Sequence, residues 1–211
     1  MFDLIIKGGV VMAPIILLSI IALAIVIERL FAFLAIRLNV PLFAKEVFLD
    51  IQRGYYSKAA EKCGEVKHPI GKLFIQAISN RNLKREDLEH LLEREGNLSI
   101  KRLERGFGAL AVIIGVEPML GFLGTIVGLI QAFMTWEQLG ANITVSALAA
   151  GIYQAMITTA GGLIAAIPYF ICYHIFSARA KYHAELMSYY GTQLLEVLSS
   201  ARRGVPVENS H

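Results

Sequence analysis

The chain has little of what catalytic and secreted domains are usually built around. Only two of its 211 residues are cysteine. Cys63 falls in a polar stretch with helical patterning and Cys172 in an apolar one, which argues against a disulfide, a metal site or thiol chemistry. No glycine-rich phosphate loop is present, because Gly124-Thr125 lacks the lysine such a loop requires. No nucleophile elbow occurs either. Charged residues make up 18% of the chain, the net charge is only +3, and the stretch 137–145 contains no Lys or Arg. These absences point away from an enzyme, a resident cofactor, a metal and a nucleic-acid partner.

Apolar length is what the chain has instead, with 55% hydrophobic residues. The stretches from Gly115 to Trp136 and from Ser146 to Phe176 are each long enough to cross a bilayer, which takes roughly 20 helical residues. They read as a transmembrane hairpin rich in Gly, Ala and Thr. In the first, Glu117, Gly121, Gly124, Gly128 and Ala132 recur at steps of three or four and share a helical face, with Thr125 beside it. The second carries one stripe of Ala147, Gly151, Gln154, Thr158, Gly161 and Ala165. A neighbouring stripe holds Gly151, Ala155, Thr159, Gly162 and Ala166. Small residues at this spacing let helices pack closely; the polar members equally suit a wall facing a pore.

A third span precedes these. Gly8 to Ile27 is free of charge over about 20 residues and reads as a retained membrane helix despite Pro14, being too long for a signal-peptide core. Fifteen of the 20 Lys and Arg residues lie between Glu28 and Arg105. The excess of positive charge places that loop in the cytoplasm, the N-terminus outside and the C-terminus inside, an orientation with which Arg179, Lys181, Arg202 and Arg203 agree. The resulting plan is all-α: an N-terminal segment with the first span (1–28), a cytoplasmic helical region (29–106), a second span (107–136), a short periplasmic loop (137–145), a third span (146–178) and a cytoplasmic helix and tail (179–211). Within the cytoplasmic region the spacing predicts helices over Pro41 to Arg53, over Ser57 to Cys63 with Gly64 as a stop, and from Pro69. From about Leu83 an amphipathic pattern runs without proline as far as Pro118, which predicts one helix continuing unbroken into the second span. The tail after Ala178 predicts a continuation of the third helix, and GVPVENSH a frayed end.

The motifs GFLGTIVGLIQAF (Gly121 to Phe133) and GIYQAMITTAGGLIAAIP (Gly151 to Pro168), with Glu28-Arg29 closing the first apolar segment, resemble the MotA/TolQ/ExbB proton-channel family. The three-span plan is more similar to ExbB and TolQ than to the four-span MotA. The resemblance implies a ring, a pentamer, around a central pore. It implies a pore-resident dimer of an ExbD- or TolR-like single-span partner whose membrane aspartate carries the proton, and force passed on to TonB-like or Tol-Pal proteins. It matches Thr125 and Thr159 to the family's pore-facing threonines. Their hydroxyls, with that of Thr158, can donate and accept hydrogen bonds while staying neutral, or simply bond back to their own helix.

Two departures from that pattern stand out. The resemblance implies a glutamate where this chain has Gln154, whose amide cannot take up and release a proton, and a small residue where it has Glu117. A membrane carboxylate needs water, a cation or a partner. Glu117 is therefore expected either to line the cytoplasmic exit of an ion pathway or to pair with a cytoplasmic Lys or Arg. Three classes follow: an ion-driven motor subunit, energising outer-membrane transport or serving Tol-like envelope maintenance; a scaffold holding a single-span partner without conducting; and a conventional channel or carrier, for which no inverted repeat speaks. The transported ion is H⁺ or Na⁺.

Overall fold

A computed structural model describes residues 8–140 and 144–203. All regular structure among them is helical: α1 (Met12–Ala35), α2 (Val40–Gln52), α3 (Tyr56–Glu65), α4 (Pro69–Ser79), α5 (Arg85–Leu103), α6 (Phe107–Leu139) and α7 (Val145–Arg203). Three helices are long and apolar enough to cross a membrane, and they are α1, α6 and α7. The expected frayed tail, GVPVENSH, lies outside the described residues, as does the middle of the loop between α6 and α7.

Several boundaries differ from the sequence expectation, for local reasons. The first span starts at Met12 rather than Gly8 because Gly9 adopts φ +70°, outside the helical region. α3 runs through Gly64 to Glu65. The expected unbroken helix into the second span is interrupted at Gly106, whose φ of +83° is left-handed. No proline was needed for that break, because glycine enters this region without steric cost. Pro118 and Pro168 by contrast sit inside α6 and α7 without ending them, as membrane helices tolerate.

The chain divides into two units, one of Met1–Glu28 with Gly106–Phe176 and one of Arg29–Arg105 with Ser177–His211. In the first, the described parts of α1, α6 and α7 turn large apolar side chains outward, among them Leu17, Ile20, Met119, Phe122, Ile164 and Phe170. In water such a surface would be a liability; in a bilayer it is the lipid-facing surface. Inside, Ala22, Leu110 and Ile113 form a small buried cluster.

The second unit has the core of a soluble helical bundle. Val47, Ile51, Phe74, Ile78, Leu92 and Leu194 are buried in one cluster, with Phe43 and Phe48 stacked on Phe74. Arg29, 5% exposed, donates from Nη1 to the carbonyls of Arg102 and Leu103. It thereby caps the C-terminal end of α5, where carbonyls lack intrahelical donors and the dipole favours a cation. Asp50, also buried, pairs with Lys62 at 2.7 Å, which holds its carboxyl below the usual range.

A histidine pair locks α4 to α7. His68 is the N-cap of α4, its Nδ1 accepting from the Ile70 amide at 3.1 Å. The proton must therefore sit on Nε2, which lies 2.9 Å from His183 Nδ1. Both rings have to be neutral for this chain of bonds to form. Burial, and secondarily His183, pushes His68 down from 6.5 to about 4. Burial and Arg179 lower His183 as well. Between these values the unfolded chain holds a proton on His68 that the folded chain does not, so acidification favours unfolding. Stability of this unit should be full above pH 6.5 and fall as pH drops towards 4, by at most about 3 kcal/mol. Hydrogen exchange at the start of α4 measures this, and His68→Asn, which retains a capping oxygen, should flatten the profile.

Candidate ion pathway

In the membrane unit α6 and α7 approach to backbone distance. The small face of α6 is buried throughout: Glu117, Gly121, Gly124, Gly128 and Ala132. Opposite it lie the buried Ala155, Thr158, Gly162 and Ala166 of α7. The glycines are there because nothing larger fits. A Cβ on Gly128 would come within 2.9 Å of the Ala155 Cβ and the Gly151 carbonyl, and one on Gly162 within 2.6 Å of the Glu117 carbonyl. On Gly151 it would meet the Ala132 Cβ at 2.7 Å, and on Gly124 it would overlap the Thr158 side chain. Gly121 faces the backbone of Thr158 and Thr159, whereas Gly161 faces Met12 of α1 instead.

The three threonines part company at this crossing. Thr125, half-buried, donates to the Phe122 carbonyl of its own helix at 2.6 Å. Thr158, 1% exposed, donates to the Ala155 carbonyl at 2.8 Å. Thr159 donates across to the Gly121 carbonyl of α6 at 3.0 Å. Only the last hydroxyl joins two helices, and it reaches the turn of α6 that precedes Thr125. Thr125 and Thr159 both keep partial exposure and free lone pairs, so each can still accept a hydrogen bond. Gln154 is half-buried, and its amide lies against Gly9, where a Cβ would overlap Nε2.

Glu117 turns away from the threonines, towards α1. It is fully buried, and its Oε1 accepts from the Ser19 hydroxyl at 2.8 Å. The Tyr169 hydroxyl donates to the Ser19 carbonyl at 2.9 Å. Ser19, Glu117 and Tyr169 thus tie the three membrane helices together through polar groups. Sequence reasoning identified Glu117 but not its partner. A serine inside a charge-free 20-residue run was the available signal. No group of three or more His, Cys, Asp or Glu side chains suited to a metal occurs among the described residues.

This arrangement is that of a multi-pass helical membrane protein whose second and third spans meet through glycines and hydroxyls. Residues 65–188, more than half of the chain, match the MotA/TolQ/ExbB proton channel family, and the chain belongs to that family. It is 30% identical over 197 residues to the ExbB-like 1 protein of Synechocystis sp., covering 92% of this chain and 77% of the relative. It is 34% identical over 131 residues to an ExbB homolog of Methanothermobacter thermautotrophicus, 62% of this chain but only 46% of that longer protein. The biopolymer transport protein ExbB of Neisseria gonorrhoeae is 31% identical over 137 residues, 58% of this chain and 62% of the relative. Within the family this chain is ExbB-like.

The packing gives a sharp contrast between two glycines of one helix. Gly124→Leu must push α7 away and should destabilise the membrane unit by about 1–3 kcal/mol. Gly115→Leu, where a side chain meets open space, should be neutral or mildly stabilising. Thermal unfolding of both variants in the same detergent measures the difference.

Proposed function

We propose that this chain is the multi-pass subunit of an ion-motive-force-driven motor in the inner membrane, coupling proton flow to mechanical work across the envelope. Family membership supports a channel-type subunit rather than an enzyme. The name of the Neisseria relative, a biopolymer transport protein, favours energising TonB-dependent outer-membrane transport over Tol-Pal envelope maintenance. The working assembly in this reading is a homopentamer in lipid. It encloses a single-span ExbD- or TolR-like dimer that supplies the titrating acid, with the N-terminus periplasmic and the C-terminus cytoplasmic, as the basic 29–106 region requires.

The observation that carries the reading is the half-exposed Thr159 hydroxyl bonded to the Gly121 carbonyl, one helical turn from Thr125. Neutral hydroxyls on a close-packed crossing can hold water or face a partner's carboxyl without stranding a charge in the membrane. Thr125, Thr159 and Gln154, the partly exposed members of the stripe, form the wall of the pathway, whereas Thr158 and Glu117, expected there from the sequence, are buried in the packing between helices. One charge crossing about 100 mV supplies roughly 2.3 kcal/mol, enough to bias a step between two near-equal packings.

Gln154 favours a second reading, in which the chain holds its partner but conducts nothing, because an amide cannot exchange a proton. Proton flux into liposomes separates the two. With the single-span partner present, wild-type flux should be partner-dependent and fall at least several-fold in Thr159→Ala or Thr125→Ala. Assembly with the partner but no flux would establish the scaffold instead, and repeating the assay in Na⁺ identifies the ion.

A further inference from the structure

We propose that Glu117 is a proton-binding site enclosed within the single subunit, its carboxyl held as the neutral acid against Ser19. This goes beyond the motor reading and stands whether or not the threonine face conducts.

Three observations carry it. Glu117 is 0% exposed within one chain, so burial does not depend on neighbouring subunits, which can only enclose it further. Its two oxygens differ: Oε1 accepts from Ser19, whereas Oε2 is buried without any partner. No Lys or Arg occurs among the described residues of this unit, 8–28 and 106–176, and its histidine, His174, packs edge-on against Phe170 and Tyr173, so the described residues around the carboxyl offer no lysine or arginine to pair with it. An ionised carboxylate in such a place would be held by one neutral hydroxyl. A charge with so little compensation is far more costly to bury than the acid, which has no net charge to desolvate. Protonation removes the charge that no surrounding side chain compensates.

Ser19 also borders a cavity. Beside it, between α1 and α7, lies a largely apolar cavity of about 450 Å³, lined by Ile15, Ser19, Ile157, Gly161, Ala165 and Tyr169. Ser19 both lines that cavity and touches Glu117, and it is the one hydroxyl bonded to the carboxyl. The titratable group facing the site from α7 is Tyr169, with Cys172 next to it; α1 carries none between Met12 and Ile27.

Infrared spectroscopy of the full chain in lipid bilayers tests the charge state without any partner or flux. The difference spectrum of wild type against Glu117→Gln at neutral pH should contain the C=O stretch of one protonated carboxyl, assigned by ¹³C-labelled glutamate. Ser19→Ala should shift that band, because its hydrogen-bond donor is gone. A spectrum with only carboxylate bands from Glu117 would overturn the proposal. Thermal stability provides the second arm: Gln, the neutral isostere, should unfold within a few degrees of wild type, whereas a marked loss of stability with intact secondary structure would mean that the charge itself is required.

Discussion

Everything distinctive in the membrane unit depends on how closely α6 and α7 approach. Helices with ordinary side chains pack with their axes about 8–10 Å apart, and a hydroxyl on one rarely reaches the backbone of the other. Here Gly121, Gly124 and Gly128 meet Gly151, Ala155 and Gly162, so side chain meets main chain directly. The Thr159 hydroxyl can then bond to the Gly121 carbonyl. In lipid the apolar surface offers no driving force for association, so dispersion contacts and such hydrogen bonds have to hold the pair. The same residues thus provide adhesion and polarity. Packing and pore-wall roles, which the sequence pattern presents as alternatives, fall on different edges of one stripe: glycines and Thr158 inward, Thr125 and Thr159 at its margin.

How much of this could be read in the sequence depends on the range of each interaction. The buried face of α6 was legible residue by residue, since periodicity and residue size alone determine it. The two stripes of α7 were legible as a broad side. Which of Gln154, Thr158 and Thr159 turned inward was not, because the rotation of one helix against another depends on contacts with both. The break at Gly106 was missed because glycine is tolerated within helices and no proline marked the spot; only its φ of +83° distinguishes it from Gly108, which stays helical. Glu117 was conspicuous as an acid in an apolar run, but its partner Ser19 lies 98 positions away. The His68–His183 bond spans 115 positions and left no local trace at all.

The two units solve opposite solvation problems with buried polar groups. In the soluble-type unit, His68 satisfies a helix N-terminus and is kept neutral to do so, while Arg29 satisfies a C-terminus with its charge retained. The described residues of the membrane unit include no Lys or Arg, and Ser19, Thr159 and Tyr169 do the same work with neutral hydroxyls. That difference follows from the cost of a charge in each medium. It gives the membrane crossing its chemical character: neutral hydroxyls around the buried Glu117 carboxyl, with no Lys or Arg among the described residues.

The crossing itself is the most direct thing to measure. In a background of Cys63→Ala and Cys172→Ala, the pair Ala132→Cys and Ala155→Cys, which leaves every glycine in place and sets the thiols about one helical turn apart across the crossing, should be bridged within one chain by a short bifunctional thiol reagent in native membranes, giving a faster-migrating monomer on a denaturing gel. That result requires the outer ends of α6 and α7 of the same subunit to be in contact. Dimers in place of the internal bridge would mean that the glycine face packs between subunits, contradicting the account of how Thr159 and Glu117 are positioned.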